Sequence, residues 1–453
     1  MVDSGMLFGT DGVRGKAGRG ALAPESVERL GHALGDWLRA HGDAGKPALI
    51  GGDTRASRGE ITRALAAGIA RCGISSIDLG VLPTAGLALL IDDYGASCAA
   101  VISASHNPAD DNGIKIFTGH GAKFGDAEAH FVEAHWRACP PPPPGGRPLA
   151  PSVLRDDGAA RYVDHLLAAA GHPDLKGMKV ALDLAHGAAH AVGPALFRRA
   201  GAEVVVTGAS PDGNNINAGF GSLHPQTVAA LARSAGARFG LAVDGDADRS
   251  ILVDEQGGIV DGDGVLALVA DDLLERGKLA GSKVVGTVMS NFGLELHLRA
   301  RGVELLRTPV GDRHVSAALR AEGLVLDNKP SSHVIFGADL DYLGDGLYTA
   351  LRVAEILVRR GVPLSRAVSG YAPAPQLLEA VHVASRPPLD SIPGFKEILS
   401  ASEKRLGNGG RIVVRYSGTE PVVRVMVEGE DAALVATLAR ELASHLAHAI
   451  GAH

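Results

Sequence analysis

Short apolar, β-branched runs alternate with Ala- and Leu-rich stretches of helical spacing along most of the chain. Residues 47–50, 76–79 and 99–102 read as strands, with helical periodicity at 60–72 and 85–94 between them. That βαβα order predicts an α/β sheet covered by helices. Five consecutive prolines at 140–144 break the pattern. Such a run is stiff and extended, which marks a boundary. A second series follows, with strands at 178–184, 202–207 and 238–243 and helices around 191–200 and 225–235. A third starts near 257, with strands near 283–289, 303–306 and 323–326. The end differs: 378–384, 411–416 and 422–428 read as antiparallel strands, closed by a helix over 431–449. The expected fold is α/β, with three similar βα domains (1–150, 151–255, 256–370) and a smaller α+β domain (371–453). The three βα blocks share a layout, though their sequence identity is too weak to prove a repeat.

Length supports this division, since 453 residues at roughly 150 per domain allow three or four domains. The net charge of −7 leaves no basic surplus to drive binding to nucleic acid or an anionic membrane. Cys72, Cys98 and Cys139 are too few and too scattered for a disulfide frame or a zinc site, so reduced thiols in a cytoplasm are expected. The N-terminus carries Asp3 and no apolar core, unlike a signal peptide. No stretch reaches the ~18 apolar residues needed to span a membrane.

Three segments carry chemistry. In residues 101–115, VISASHNPADDNGIK, a strand ends in a loop that sets Ser105 beside His106, with Lys115 after a turn. A hydroxyl next to an imidazole and an ammonium suits a nucleophile or phosphate carrier, although Ser, Asn and Pro also simply form turns. Next, Asp244-Gly-Asp-Ala-Asp248-Arg249 places three carboxylates at alternate positions. These are hard oxygen ligands of the kind Mg²⁺ prefers. An EF-hand would match Asp244, Asp246, Asp248 and Glu255, but Arg249 stands where the loop needs Gly and a strand precedes it. Third, Arg415-Tyr-Ser-Gly-Thr-Glu-Pro421, with Arg424 beyond, offers guanidinium forks, the Ser417 and Thr419 hydroxyls and turn amides around Gly418. This suits a phosphate nest or, more plainly, a hairpin turn.

Other features are weaker. Arg14 lies in a Gly-rich N-terminal loop, and Thr308-Pro-Val-Gly311-Asp312-Arg313-His314 is a strand-end loop able to meet a polar ligand. His186 and His190 have metal-helix spacing without the Glu of H-E-x-x-H. His445 and His448 read as solvated. Gly262-Asp-Gly264 and Gly344-Asp-Gly346 read as turns, and Leu266, Val269, Leu273 and Leu274 as core.

With these loops in hand, the chain resembles the α-D-phosphohexomutases, and among them the bacterial phosphoglucosamine branch. LFGTDGVRG, ISASHNP with DNGIK, DGDADR, VGDR and RYSGTEP occur in family order. Residues 212–217, DGNNIN, and 260–263, VDGD, fit the glucosamine branch. The resemblance implies four domains in a heart shape, with one loop from each at a central cleft. It makes Ser105 a phosphoserine and sets Asp244, Asp246 and Asp248 on Mg²⁺ together with the phosphoserine oxygen. Lys115, with Arg14 and His106 nearby, would serve proton transfer and charge stabilisation, its ammonium made more acidic by Arg14 and burial. His333 is a second candidate base. Arg415, Ser417, Gly418, Thr419 and Arg424 would clamp the distal phosphate. Arg249, Gly311, Asp312, Arg313, Lys329, Ser331 and His333 would meet the substrate. The implied activity interconverts glucosamine 6-phosphate and glucosamine 1-phosphate, with a sugar bisphosphate as intermediate and activator, in a monomer or homodimer.

One loop departs from the pattern. Where the family carries Gly-Glu-x-Ser-Gly-His, this chain reads Asn328-Lys-Pro-Ser-Ser-His333. A carboxylate accepts hydrogen bonds from sugar hydroxyls, whereas an ammonium only donates. The alternatives are therefore a mutase of this fold specialised for another phosphosugar, a Mg²⁺-dependent phosphatase, and an inactive regulatory protein.

Overall fold

The computed structural model describes residues 7–9, 12–43, 45–140, 152–329, 333–417 and 421–451. Its first sheet runs Val13–Lys16, Asp111–Thr118, Cys98–Ile102, Ala48–Gly52, Ser76–Val81, Val153–Leu154. The second runs Ile259–Val260, Ser250–Asp254, Phe239–Val243, Lys179–Asp183, Glu203–Thr207. The third runs Leu343–Gly344, His333–Phe336, Leu326–Lys329, Lys283–Thr287, Glu304–Thr308.

These sheets repeat one plan. Counted from Ala48–Gly52, Lys179–Asp183 and Lys283–Thr287, the first strand pairs in parallel with the second on one side and the third on the other, and in the first sheet Val13–Lys16 precedes this set and pairs antiparallel with Asp111–Thr118. The third then pairs antiparallel with a fourth. The chemical loops at 103–110 and 244–249 both join strand three to strand four. The shared layout seen in the sequence is thus a repeat of topology. Central strands such as Cys98–Ile102 and Phe239–Val243 are buried along their whole length. Sheets covered on both faces require continuous apolar runs of this kind.

One core joins all three α/β domains, running from Leu49 and Leu87 through Tyr162, Leu182 and Leu241 to Leu266 and Leu347. The other face of the first sheet packs under helices α1 (Pro24–Ala40) and α2 (Arg58–Arg71). The last domain has its own core, where Val423, Val425 and Val427 meet Leu438 and Leu442. Its antiparallel sheet is ordered Gln376–His382, Val422–Gly429, Gly410–Tyr416, and the helix Ala432–Ile450 closes it.

Two expected elements shift. The helix expected over 85–94 is α3, Thr84–Leu89, because the bonds Ile91 N–H to Ala88 O and Gly95 N–H to Asp92 O turn the chain into tight turns. The strand expected at 323–326 begins at Leu326, because Gly323 takes φ 62° and caps the helix Asp312–Glu322. Among the described residues no helix is long and apolar enough to cross a membrane.

Candidate active site

Ser105 follows the buried strand Cys98–Ile102 and is 2% exposed. Its φ of 55° is a left-handed conformation that costs energy for a non-glycine residue, so neighbours must enforce it. They do so through backbone groups. Ser105 N–H donates to Ser103 Oγ at 2.9 Å, and Ser103 Oγ donates to Asp53 Oδ2 at 2.6 Å. The buried guanidinium of Arg55 pairs with Asp53 at 3.0 Å and donates to the carbonyls of Ser105, Asn107, Pro108 and Asp111. Asn217 reaches over from the second domain and donates to Ser105 O at 2.9 Å and Asn107 O at 3.1 Å.

The hairpin between Phe239–Val243 and Ser250–Asp254 carries Asp244, Asp246 and Asp248. Two antiparallel strands flank this loop, so it is not an EF-hand. The three carboxylates are 1%, 0% and 7% exposed, and one oxygen of each lies within 4.8 Å of the others. Asp244 Oδ2 accepts the Ser105 hydroxyl at 2.5 Å. Asp246 Oδ2 accepts Thr84 Oγ1 at 2.6 Å and Lys115 Nζ at 2.7 Å, and Lys115 reaches Asp248 Oδ2 at 3.3 Å. Asp246 Oδ1 and Asp248 Oδ1 are buried without a hydrogen-bond partner. Leaving buried carboxylate oxygens so is costly unless a cation takes them. Three hard donors beside a hydroxyl, with Asp246 Oδ1 unpartnered and Asp248 Oδ1 3.6 Å from Arg249 Nε, fit Mg²⁺.

Burial and the repulsion of Asp248 push Asp244 up to about 7, against the pull of Arg249. Burial also opposes the charge on Asp248, but Lys115, His333 and Arg249 together hold it well below the usual carboxylate range. Burial, Arg249 and Arg14 lower His106 to about 4, so its imidazole is neutral near pH 7. His106 Nδ1 stands 3.5 Å from Ser105 Oγ, and Arg249 Nη2 meets both atoms. Arg249, expected among the substrate contacts, thus lies against Ser105 Oγ and pairs with Asp244 at 3.1 Å. Arg14 Nη1 donates to Ala104 O at 3.0 Å. The buried Lys115 ammonium faces two carboxylates, Asp246 at 2.7 Å and Asp248 at 3.3 Å. His333 is 6% exposed, with Nδ1 3.9 Å from Asp248 Oδ2.

The third domain braces this knot through Gly344-Asp-Gly346, which the sequence reads as a turn. Gly346 N–H donates to Ala247 O, inside the Asp loop, at 2.9 Å. A Cβ on Gly346 would lie 2.6 Å from Arg249 O, and one on Gly344 would overlap the His333 ring at 2.1 Å. Asp345, fully buried, caps the helix Gly346–Arg360 through Tyr348 N–H and accepts the Tyr162 hydroxyl. The signal in the sequence was an Asp before a helical run, which is an N-cap signature. Asp53, Arg55, Thr84 and Asn217 were also missed. They act on backbone groups, on one another or across domains, and only the polar Asp-Thr-Arg at the end of an apolar strand hinted at two of them, Asp53 and Arg55.

Arg415 and Arg424 are direct partners across the last sheet, so they project from one face. Like charges placed opposite each other destabilise a sheet, and an anion between them relieves this. They line a small recess with Met289, Leu378, Val413 and Met426. Ser417 is 3% exposed, and its N–H donates to Val422 O at 2.9 Å. Gly311 takes φ 140° just before the helix Asp312–Glu322. The backbone of Lys329 pairs with that of His333. The side chains of Asp312, Arg313 and Lys329, together with Ser331, Gly418 and Thr419, lie outside the described residues. His186 Nδ1 accepts Ser210 N–H at 3.2 Å, and His190 Nδ1 lies 3.0 Å from Gly187 O, so both serve loop geometry.

Four consecutive domain families match the chain: phosphoglucomutase/phosphomannomutase alpha/beta/alpha domain I over residues 5–139, domain II over 160–258, domain III over 261–373 and the C-terminal domain over 378–445. The chain belongs to the phosphoglucomutase/phosphomannomutase family. A phosphoglucosamine mutase of Syntrophotalea carbinolica is 41% identical over 448 residues, covering 98% of each chain. One of Symbiobacterium thermophilum is 43% identical, covering 96% of this chain and 98% of that protein. Among solved structures, a phosphoglucomutase/phosphomannomutase family protein from Burkholderia thailandensis superposes with a TM-score of 0.81 at 27% identity, over 99% of this chain and 98% of that one.

Proposed function

We propose that the chain interconverts glucosamine 6-phosphate and glucosamine 1-phosphate through a phosphorylated Ser105. The observation that carries this is the Ser105 hydroxyl held 2.5 Å from Asp244 among three buried carboxylates and Arg249. The relatives named above support the amino-sugar substrate and do not favour the reading in which Lys329 marks a different phosphosugar. Accordingly the enzyme is an isomerase of the mutase type.

Phosphoryl transfer asks the protein mainly for positioning and charge neutralisation. The phosphoryl group leaves Ser105 Oγ and bonds to a free hydroxyl of the sugar monophosphate, giving a bisphosphate. The bisphosphate turns end for end, and its original phosphate passes back to Ser105. Arg249 and Lys115, both paired with the Asp loop, neutralise the transferring group. His106, being neutral, accepts Arg249 and orients it. His333, beside Asp248, takes the proton of the attacking hydroxyl. Mg²⁺ held by Asp244, Asp246 and Asp248 with a phosphoserine oxygen would add Lewis-acid stabilisation of the phosphoryl charge. Arg415, Ser417, Gly418, Thr419 and Arg424 hold whichever phosphate is distal. The sequence motifs assign Gly311, Asp312, Arg313, Lys329 and Ser331 to the sugar.

The test is interconversion of the two glucosamine phosphates, with glucose 6-phosphate in parallel and the matching bisphosphate present. Ser105→Ala should lose turnover by on the order of 10³-fold or more with its circular dichroism unchanged. Near wild-type turnover of that variant would overturn the assignment of Ser105. Accumulation of inorganic phosphate in place of the isomer would make the protein a phosphatase.

A further inference from the structure

The other face of the first domain holds a second convergence of ligand-type side chains. Helices α1 and α2 cross where three glycines let their backbones touch. An added Cβ would lie 2.2 Å from Leu65 O at Gly31, 1.9 Å from Glu28 O at Gly68 and 2.6 Å from Cys72 Sγ at Gly35. This closeness carries Cys72, at the C-cap of α2, over the turn of α1 that bears His32 and Asp36. Four residues apart on one helix, those two share a face. His32 Nδ1 stands 3.2 Å from Asp36 Oδ2, and Cys72 Sγ stands 3.6 Å from Asp36 Oδ1. One ligand atom of each residue lies within 4.8 Å of the others. His32 Nδ1 is buried and makes no hydrogen bond despite that proximity.

A tetrahedral ion with metal–sulfur bonds of about 2.3 Å and metal–nitrogen or –oxygen bonds of about 2.0–2.1 Å needs ligand-to-ligand edges of about 3.3–3.6 Å. Two observed separations, each to a different oxygen of Asp36, lie near these edges, and the His32–Cys72 edge, within 4.8 Å, closes with a side-chain rotation. The thiol is 3% exposed, whereas the His32 and Asp36 side chains are 25% and 29% exposed, so water can reach a fourth position. The donor set of imidazole, carboxylate and thiolate is softer than the three carboxylates at Ser105, and it selects zinc-like ions over Mg²⁺.

We propose that His32, Asp36 and Cys72 form a site for a borderline divalent ion such as Zn²⁺, which ties α1 to α2. As the metal–sulfur bond forms, the thiol proton passes to solvent. Three scattered cysteines argued against zinc in the sequence, but one suffices here because the fold supplies the histidine and the carboxylate.

Co²⁺ titration of the full chain in saturating Mg²⁺ tests this, because a thiolate-to-cobalt charge-transfer band in the near ultraviolet reports sulfur and is silent to the Asp loop. One equivalent should develop the band, and Zn²⁺ should bleach it. Cys72→Ala should abolish it and Asp36→Asn should weaken the binding at least tenfold, both with wild-type circular dichroism and mutase turnover. Zn²⁺ should raise the melting temperature of the wild type more than that of either variant. Absence of the band in the wild type, or its persistence in Cys72→Ala, overturns the proposal.

Discussion

The loop that carries Ser105 and the loop that carries Arg415 are built on opposite principles. Ser105 is fixed by three domains that share one core. Arg55 ties its loop from below, Asn217 from the second domain, and Gly346 grips the adjoining Asp loop from the third. Arg415 stands on a sheet with its own core. That sheet meets the third domain along a polar seam, where Asn291 bonds to the backbone of Ala374 and Arg411 donates to Ser290 O at 2.7 Å. Transfer to and from one serine needs a single fixed geometry, since small misplacements cost large factors in rate. A clamp that must hold either end of a bisphosphate needs a strong, tolerant grip. The contrast predicts that damage near Ser105 costs turnover and stability together, while damage at Arg415 costs affinity alone.

The largest effect should come from Asp246→Asn. It removes a buried carboxylate that has an orphaned oxygen and contacts Thr84 and Lys115. Losing several kcal/mol of charge stabilisation should lower kcat on the order of 10³-fold and raise the Mg²⁺ concentration for half activity. Full activity in excess chelator would remove the metal from the account.

A matched pair follows. Gly346→Ala forces a methyl group to within 2.6 Å of Arg249 O, and overpacking of this kind costs about 1–3 kcal/mol. The variant should melt lower and lose turnover about tenfold or more. Arg415→Ala removes a charged hydrogen-bond donor to phosphate, worth about 1.5–3 kcal/mol, so KM should rise roughly ten- to a hundredfold, with the melting temperature unchanged or slightly raised because one of two facing guanidiniums is gone. Equal loss of stability in both variants would erase the distinction between the two regions.

The sequence made the motif-bearing loops legible because each is contiguous and ends a strand. Ser105 and the three aspartates were readable for that reason, and Lys115 because it follows the Asp111-Asn112-Gly113 stretch of the same contiguous motif. The braces were not. Arg55 and Asn217 act on carbonyl groups, which any sequence possesses, and their targets lie 50 and 112 residues away. Gly344-Asp-Gly346 looked like a turn because its purpose is another domain's backbone. The repeat was legible only as a shared βα layout, and the strand order behind it was not, since buried parallel strands ask only for apolar residues and many sequences meet that demand.

The smallest expected effect separates bracing from chemistry. Burial raises Asp345 to about 6, against the hydrogen bonds from Tyr162 and the backbone of Tyr348. A carboxyl whose folded value is raised contributes stability that is complete below its unfolded value, near 4, and is lost as pH rises through about 6. The shift of about two units corresponds to roughly 3 kcal/mol as an order of magnitude. In Asp345→Asn the side-chain oxygen can still cap Tyr348 N–H, and no charge is buried at any pH. Relative to the wild type, the variant should therefore gain stability as pH rises from 4.5 to about 6.5 and hold that gain above it. Its turnover at pH 7.5 should change less than about threefold, because Asp345 touches the Asp loop only through Gly346. Paired denaturation midpoints across that range, with chelator present so that the Asp loop titrates alike in both proteins, measure the difference. A difference that stays constant with pH would mean that Asp345 is ionised throughout, and a large loss of turnover would place it in the chemistry instead of the brace.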